Sequence, residues 1–280
     1  MSDVFTGILK DESAEAYHAK KDFVSSSPLP AMAKSPLHFF HKWKTETEST
    51  DPMERGNFMH KLLLEQDISK YVARPLNDKL ELVRSNSKEY AAFLAQNQGK
   101  TPVHPDFYHD ALAILTAACR NKRFIKAFEA SDQEVSIYAK HGPTGLFMKA
   151  RMDMIAKDCS FIADVKSTSN ITAFERQIFN LGYDVRLVHY REVLRALTGI
   201  LVPNLYFFPI ESSAPYGMQA FRLSDSATEA AFTKWTAWMN EISACIADSV
   251  WPGFSDDIID VDRPKYLEFD AAPSFDEASV

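Results

Sequence analysis

Residues 146–168 constrain this chain more than any other stretch. The run L146-F-M-K-A-R-M-D-M-I-A-K157 alternates in character, F161-I-A-D-V-K-S-T168 follows it, and only a short turn around K157-D-C-S160 separates them. Period-two alternation across a short polar connection predicts a β-hairpin. Successive strand side chains point to opposite faces, so Asp164 and Lys166 share one face, and pairing across the turn sets Asp153 opposite Asp164. Phe161, Ile162, Ala163 and Val165 surround these charges, which predicts a central, mostly buried strand. Carboxylates there repel each other and are costly to bury unless paired or metal-bound. Asp oxygens are the hard ligands that Mg²⁺ takes. A lysine beside such an ion can orient or deprotonate a water, or steady the charge on a pentavalent phosphate. The hairpin therefore suits a metal-dependent phosphodiesterase, although a D-x(n)-D-x-K pattern alone also describes ordinary surface charges.

The surrounding segments place further groups near this hairpin. E134-V-S-I-Y-A-K140 reads as a strand leading through the H141-G-P-T-G145 turn, so a meander of three strands would supply Glu134, Asp153, Asp164 and Lys166. M53-E-R-G-N-F-M-H-K-L-L-L-E65 has helical spacing, with Met53, Phe58, Leu62 and a Leu pair as its buried stripe and His60 one turn beyond Gly56. Residues 66–105 read as mostly connecting structure plus a helix around Ser87–Ala95, and a stronger helix runs from about Pro105 to Phe128. One long amphipathic helix is expected over Thr172–Leu197, interrupted mildly by Gly182. On it Tyr183, Arg186 and Tyr190 share a face and Gln177 lies on the opposite one. Asn204–Ile210 and Met218–Leu223 form a strand pair, and a final helix spans roughly Ala227–Ala247. The order predicts an α/β fold with a central mixed sheet flanked by helices.

At 280 residues, nearly half of them hydrophobic and twenty of them Phe, the chain can bury a core without staples. Cys119, Cys159 and Cys245 are too few and too scattered for a disulfide framework or for a zinc or iron–sulfur site. No apolar run approaches a membrane span and the first residues lack a signal peptide's pattern, so a cytoplasmic protein without a membrane partner is expected. The net charge of −7 does not advertise a nucleic-acid binder. Basic clusters exist at Lys34–Lys44, Arg120–Lys126 and Arg186–Arg195, but each also reads as a solvated helix face.

Several motifs, taken in order, resemble the RecE-type exonucleases (the exodeoxyribonuclease eight nuclease domain) of the PD-(D/E)XK superfamily. They are E15-A-Y-H-A19, S35-P-L-H-F-F40, R55-G-N-F-M-H60-K-L-L-L-E65, E134-V-S-I-Y, R151-M-D153, D164-V-K166-S-T, Trp251-Pro252 and Pro264-Lys265-Tyr266-Leu267. The resemblance implies a restriction-endonuclease-like core within a single nuclease domain, residues 1–280. Within it, residues 1–30 would be an N-terminal extension, 31–130 a largely helical part carrying His60, 131–250 the catalytic core and 251–280 an acidic tail. It implies that His60, Asp153, Asp164 and the Val165 carbonyl bind Mg²⁺, with Mn²⁺ an alternative. Glu134 would hold metal or position water, and Lys166 would activate water or stabilise the transition state. Tyr190 would join the catalytic group, and Arg151, Tyr183 and Arg186 would face DNA. Where the family usually carries Q-x-x-x-Y, this chain reads Arg186-L-V-H-Tyr190.

The implied activity is Mg²⁺-dependent digestion of linear double-stranded DNA from an end, 5′→3′, leaving 3′ single strands. The implied setting is phage or prophage recombination, with a RecT-type annealing protein as partner and a homo-oligomer, a tetrameric ring, as assembly. Two other readings remain at this stage: a RecB-like nuclease acting on single strands, and a catalytically impaired DNA-end-binding protein with the same fold.

Overall fold

The alternating segments form the middle of a six-stranded mixed sheet in a computed structural model that describes residues 4–45 and 50–262. The strands are β1 (Gly7–Leu9), β2 (Tyr71–Ala73), β3 (Thr101–Val103), β4 (Ser131–Lys140), β5 (Phe147–Ala156), β6 (Phe161–Thr168), β7 (Asn204–Glu211) and β8 (Phe221–Arg222). The main sheet has the order β1-β4-β5-β6-β7-β8, while β2 and β3 form a separate parallel pair within the stretch expected to be connecting structure. β4, β5 and β6 are antiparallel neighbours, and β6 runs parallel to β7, as a helical crossover between them requires. Residues before Pro30 contribute directly: β1 pairs with β4, and Tyr17, Phe23 and Val24 are buried.

Helices cover both faces. α1 (Ala14–Ala19) and α2 (Pro36–Lys44) start at Ser13 and Ser35, whose hydroxyls accept from the backbone N–H of Ala16 and His38. α3 (Asp51–His60) continues into one π-helical turn, Lys61–Glu65, and α4 is Lys88–Gln96. The single helix expected over Pro105–Phe128 is instead three: α5 (Pro105–His109), α6 (Ala111–Arg120) and α7 (Lys122–Ala130). Asn121 accounts for the last break, because its backbone is extended and its side chain accepts from the N–H groups of Arg123 and Phe124.

The helix expected over Thr172–Leu197 is likewise two, α8 (Phe174–Asn180) and α9 (Tyr183–Thr198). Gly182 stands between them with φ +65°, and a Cβ there would lie 2.9 Å from Pro30. The interruption is therefore a complete break, and a helical wheel cannot be carried from Gln177 across it to Arg186. α10 (Asp225–Asp248) is the last regular element among the described residues. Among the described residues no helix is long and apolar enough to cross a membrane.

One apolar layer joins α9 and α10 to the sheet through Val135, Ile137, Met148, Ala150, Met152, Ile162 and Phe207. The opposite layer packs Phe58, Met59 and Leu62–Leu64 with Ile114 and Phe124 against Met154, Ala163, Val165 and Phe208. Each such large side chain, fully buried, contributes about 1.5–3 kcal/mol. Met53, expected in the buried stripe of α3, is exposed instead, because the stripe turns inward only from Phe58 onward. Met152 and Ile155 belong to one layer and Met154 to the other, so strict alternation along β5 breaks at Asp153.

Candidate active site

Glu134, Asp153 and Asp164 stand abreast on three neighbouring strands. Glu134 and Asp153 lie between the paired positions Gln133–Met154 and Val135–Met152, yet do not pair themselves. Glu134 has φ +53°, a left-handed conformation that costs energy for a residue with a side chain. On the other side, β5 and β6 pair only at Met154–Ala163 and Ile155–Ile162, so the strands part where Asp153 and Asp164 follow. Parting frees the Val165 peptide from the ladder. Its N–H donates to Asp153 Oδ2 at 2.6 Å, and its carbonyl accepts from His60 Nε2 at 2.7 Å and from Lys166 Nζ at 3.2 Å. A carbonyl can only accept, so His60 carries a proton on Nε2.

His60 reaches this point from the end of α3, on the opposite layer. Its Nε2 lies 3.5 Å from Asp153 Oδ2 and its Nδ1 3.8 Å from Glu134 Oε1. One ligand atom from each of His60, Glu134 and Asp153 falls within 4.8 Å of the others, the donor set a hard or borderline divalent cation takes. Burial pulls the His60 imidazole down, but the Asp153 and Glu134 carboxylates outweigh it and push it up to about 9. Burial, helped by the neighbouring Asp164 charge and opposed by His60, pushes Asp153 up to about 7. This is the electrostatic signature of carboxylates crowded together with too little positive charge between them.

Asp164 stands beside this trio and not within it, ion-paired to Lys166. Burial works against the Lys166 ammonium, but Asp164 and Asp153 outweigh it and raise its pKa. From α9, Tyr190 and Arg186 face Asp164, and the Arg186 guanidinium sits 5.7 Å from the Tyr183 ring. Arg186 Nε is buried with no hydrogen-bond partner.

Arg151, expected to face DNA, is turned inward. Its Nε donates to Glu134 Oε2 at 2.6 Å and its Nη1 to the Glu12 carbonyl at 2.6 Å, so it supports Glu134 from behind. Gln177, set aside by the helical wheel, accepts from Thr168 Oγ1 at the end of β6. Tyr183, Arg186 and Tyr190 do line one face of α9, and Lys166 Nζ lies 5.5 Å from the Tyr183 ring. Trp251 packs on Phe40 with ring centroids 4.6 Å apart, while Pro264-Lys265-Tyr266-Leu267 lies outside the described residues.

Carboxylates on adjacent, parting strands, with a D-V-K strand at the centre of a mixed sheet, invite comparison with known proteins. A family model described as "PDDEXK-like domain of unknown function (DUF3799)" matches residues 25–261. The chain belongs to this family. No curated protein matches the sequence.

Among solved structures, a protein from Eubacterium rectale described as "Putative exonuclease" is similar over 94% of this chain and 99% of its own, with TM-score 0.61 and 15% identity. An alkaline exonuclease from Laribacter hongkongensis matches with TM-score 0.36 and 14% identity, over 85% of this chain and 96% of its own. A phage-related exonuclease from Haemophilus somnus gives TM-score 0.35 and 10% identity, over 81% and 96%. At these identities the first likeness establishes the fold, which is PDDEXK-like: a mixed central sheet flanked by helices.

Proposed function

We propose that this PDDEXK-like protein is a Mg²⁺-dependent exodeoxyribonuclease that digests linear double-stranded DNA from an end, in the 5′→3′ direction, to leave 3′ single strands. The observation that carries the reading is the grouping of His60, Glu134 and Asp153 around the freed Val165 peptide, with Asp164 and Lys166 alongside. A structural ion-pair network would not need three carboxylates abreast or a left-handed Glu134. The exonuclease description of the similar Eubacterium rectale structure supports the same reading.

In this reading His60, Asp153, Asp164 and the Val165 carbonyl would hold the divalent cation, and Glu134 would help hold it or position the attacking water. When bound, the cation polarises a phosphoryl oxygen and lowers the pKa of a water. Lys166, held by Asp164 and the Val165 carbonyl, carries positive charge toward the phosphate as negative charge grows on it. Water attacks phosphorus, the P–O ester bond to the leaving nucleotide breaks, and the proton lost by water ends on solvent or the leaving oxygen. Tyr190 and Arg186 flank the strand from α9, where Arg186 can grip a phosphate bidentately. Mn²⁺ would serve in place of Mg²⁺, because both accept the same oxygen-rich site.

The resemblance to the RecE-type exonucleases also implies a setting. A tetrameric ring around the duplex would let an acidic exterior coexist with a basic channel, which reconciles the net charge of −7 with a DNA substrate. A RecT-type single-strand annealing protein would receive the 3′ strands during phage or prophage recombination. The test is hydrolysis of duplex DNA in Mg²⁺ and in EDTA. Cleavage should require the metal, and Asp164→Ala or Lys166→Ala should lower the rate by about 10²-fold or more. Undiminished cleavage in both variants would move the chemistry elsewhere, and no cleavage with any divalent metal would favour a DNA-end-binding protein.

A further inference from the structure

One small cavity outside the carboxylate cluster brings together two guanidinium groups and an imidazole. It measures about 80 Å³ and is lined by Glu54 and Arg55 of α3, Arg74 just after β2, Val103 of β3, and His104 and Phe107 at α5. Arg74 Nε is buried without a hydrogen-bond partner, while Nη2 of the same guanidinium donates to Ser85 Oγ at 3.3 Å. Arg55 stacks over the Phe107 ring at 3.5 Å and donates through Nη1 to the Ser212 carbonyl at 3.0 Å. His104 Nδ1 accepts from the Asp106 N–H, which leaves the ring proton on Nε2 as a donor. Guanidinium groups have donors and no acceptors, so what completes Arg74 is an acceptor, and a planar fork suits an oxyanion. Two guanidinium groups and an imidazole line the cavity with one carboxylate, Glu54, and Asp106 Oδ2 lies 3.5 Å from His104 Nδ1 at its edge.

The cavity is tied to the carboxylate cluster by two elements. Arg55 and His60 both lie on α3, five residues apart, which is ~7.5 Å along the helix axis. Ser212, which holds Arg55, donates its N–H to Thr168 at the end of β6, the strand of Asp164 and Lys166. The volume is enough for a phosphate group.

We propose that this cavity binds one backbone phosphate of the DNA strand next to the site of cleavage, through Arg74, Arg55 and His104. The inference rests on the nuclease reading for its ligand. The subsite is built from α3, β3 and α5, elements other than the α9 that carries Arg186.

The test is equilibrium binding of a fluorescently labelled linear duplex in EDTA across a salt series, which uses no catalysis. Losing one phosphate contact lowers the slope of log affinity against log salt by about 0.9. Arg74→Ala should show that drop with roughly tenfold weaker binding. Arg74→Lys should regain part of the affinity, and Glu54→Gln should tighten binding. Circular dichroism establishes that each variant is folded. An unchanged slope in folded Arg74→Ala overturns the proposal. So does absence of duplex binding by the wild-type protein, and so does unaltered affinity in Glu54→Gln if Arg74→Ala does not fold. A protein that binds duplex with the Arg74-dependent slope yet cuts nothing would keep the subsite and drop the nuclease.

Discussion

The crowded charges at the parting strands make a quantitative demand on metal binding. His60 is pushed up to about 9 by Asp153 and Glu134, so at pH 7 its imidazole is almost entirely protonated. A cation that takes His60 as a ligand must first displace that proton, at a cost of about 2.7 kcal/mol at pH 7 from a gap of about two units. The imidazole also has to leave the Val165 carbonyl, the other atom available to the cation. Apparent affinity for Mg²⁺ or Mn²⁺ should therefore rise nearly tenfold per unit between pH 7 and 9, then level off. Below pH 7 the Asp153 proton, lost at about 7, must be displaced as well, and the dependence steepens toward two decades per unit. Calorimetric titration with Mn²⁺ at pH 6, 7, 8 and 9 and constant ionic strength measures this directly. In His60→Gln the rise between pH 7 and 9 should vanish. A flat wild-type profile over that range, or the same slope in the variant, would refute His60 as a ligand.

Three further outcomes are expected. Arg186→Gln, which restores the residue usual in the resembled family, should raise KM for duplex about tenfold with kcat retained, because the proposed phosphate grip uses the guanidinium, whose buried Nε makes no hydrogen bond. An unchanged KM would make Arg186 structural. Gly182→Ala should cost about 2 kcal/mol or more in urea unfolding, from a φ of +65° and a Cβ 2.9 Å from Pro30; wild-type stability would show that α8 and α9 can shift apart. His189, fully buried and donated to by Trp235 Nε1, is pushed down to about 4 by burial. Its folded pKa lies below the unfolded value, so its contribution is present above pH 6.5 and lost as pH falls toward 4, about 3 kcal/mol in all. Urea unfolding at pH 7.5 and 4.5 should show a smaller acid loss in His189→Gln than in wild type, and equal losses would contradict this.

The strand meander was legible because its evidence is local. Alternation around Asp153 and Asp164, with turns at 141–145 and 157–160, specifies three strands and the faces of their charges. Features that depend on distant packing were not legible. Gly182 reads as a tolerable helix glycine until Pro30 is seen against it. Asn121 breaks a strongly apolar helical run because its side chain caps the next helix, a preference that the apolar periodicity around it masks. Arg151 looks like a free cation beside Asp153 in sequence, but cross-strand register puts Glu134 within reach of its guanidinium. The cavity at Arg74 gathers α3, β3 and α5, which lie up to about fifty residues apart, and no motif links them.

Whether the protein cuts DNA from an end is read from one reaction. End-labelled linear duplex and closed circular DNA are incubated together with the protein and Mg²⁺, and both are followed in the same tube. Linear duplex should disappear while circles persist, and neither should change with Asp164→Ala. Equal loss of circles and linear duplex would contradict cleavage from an end.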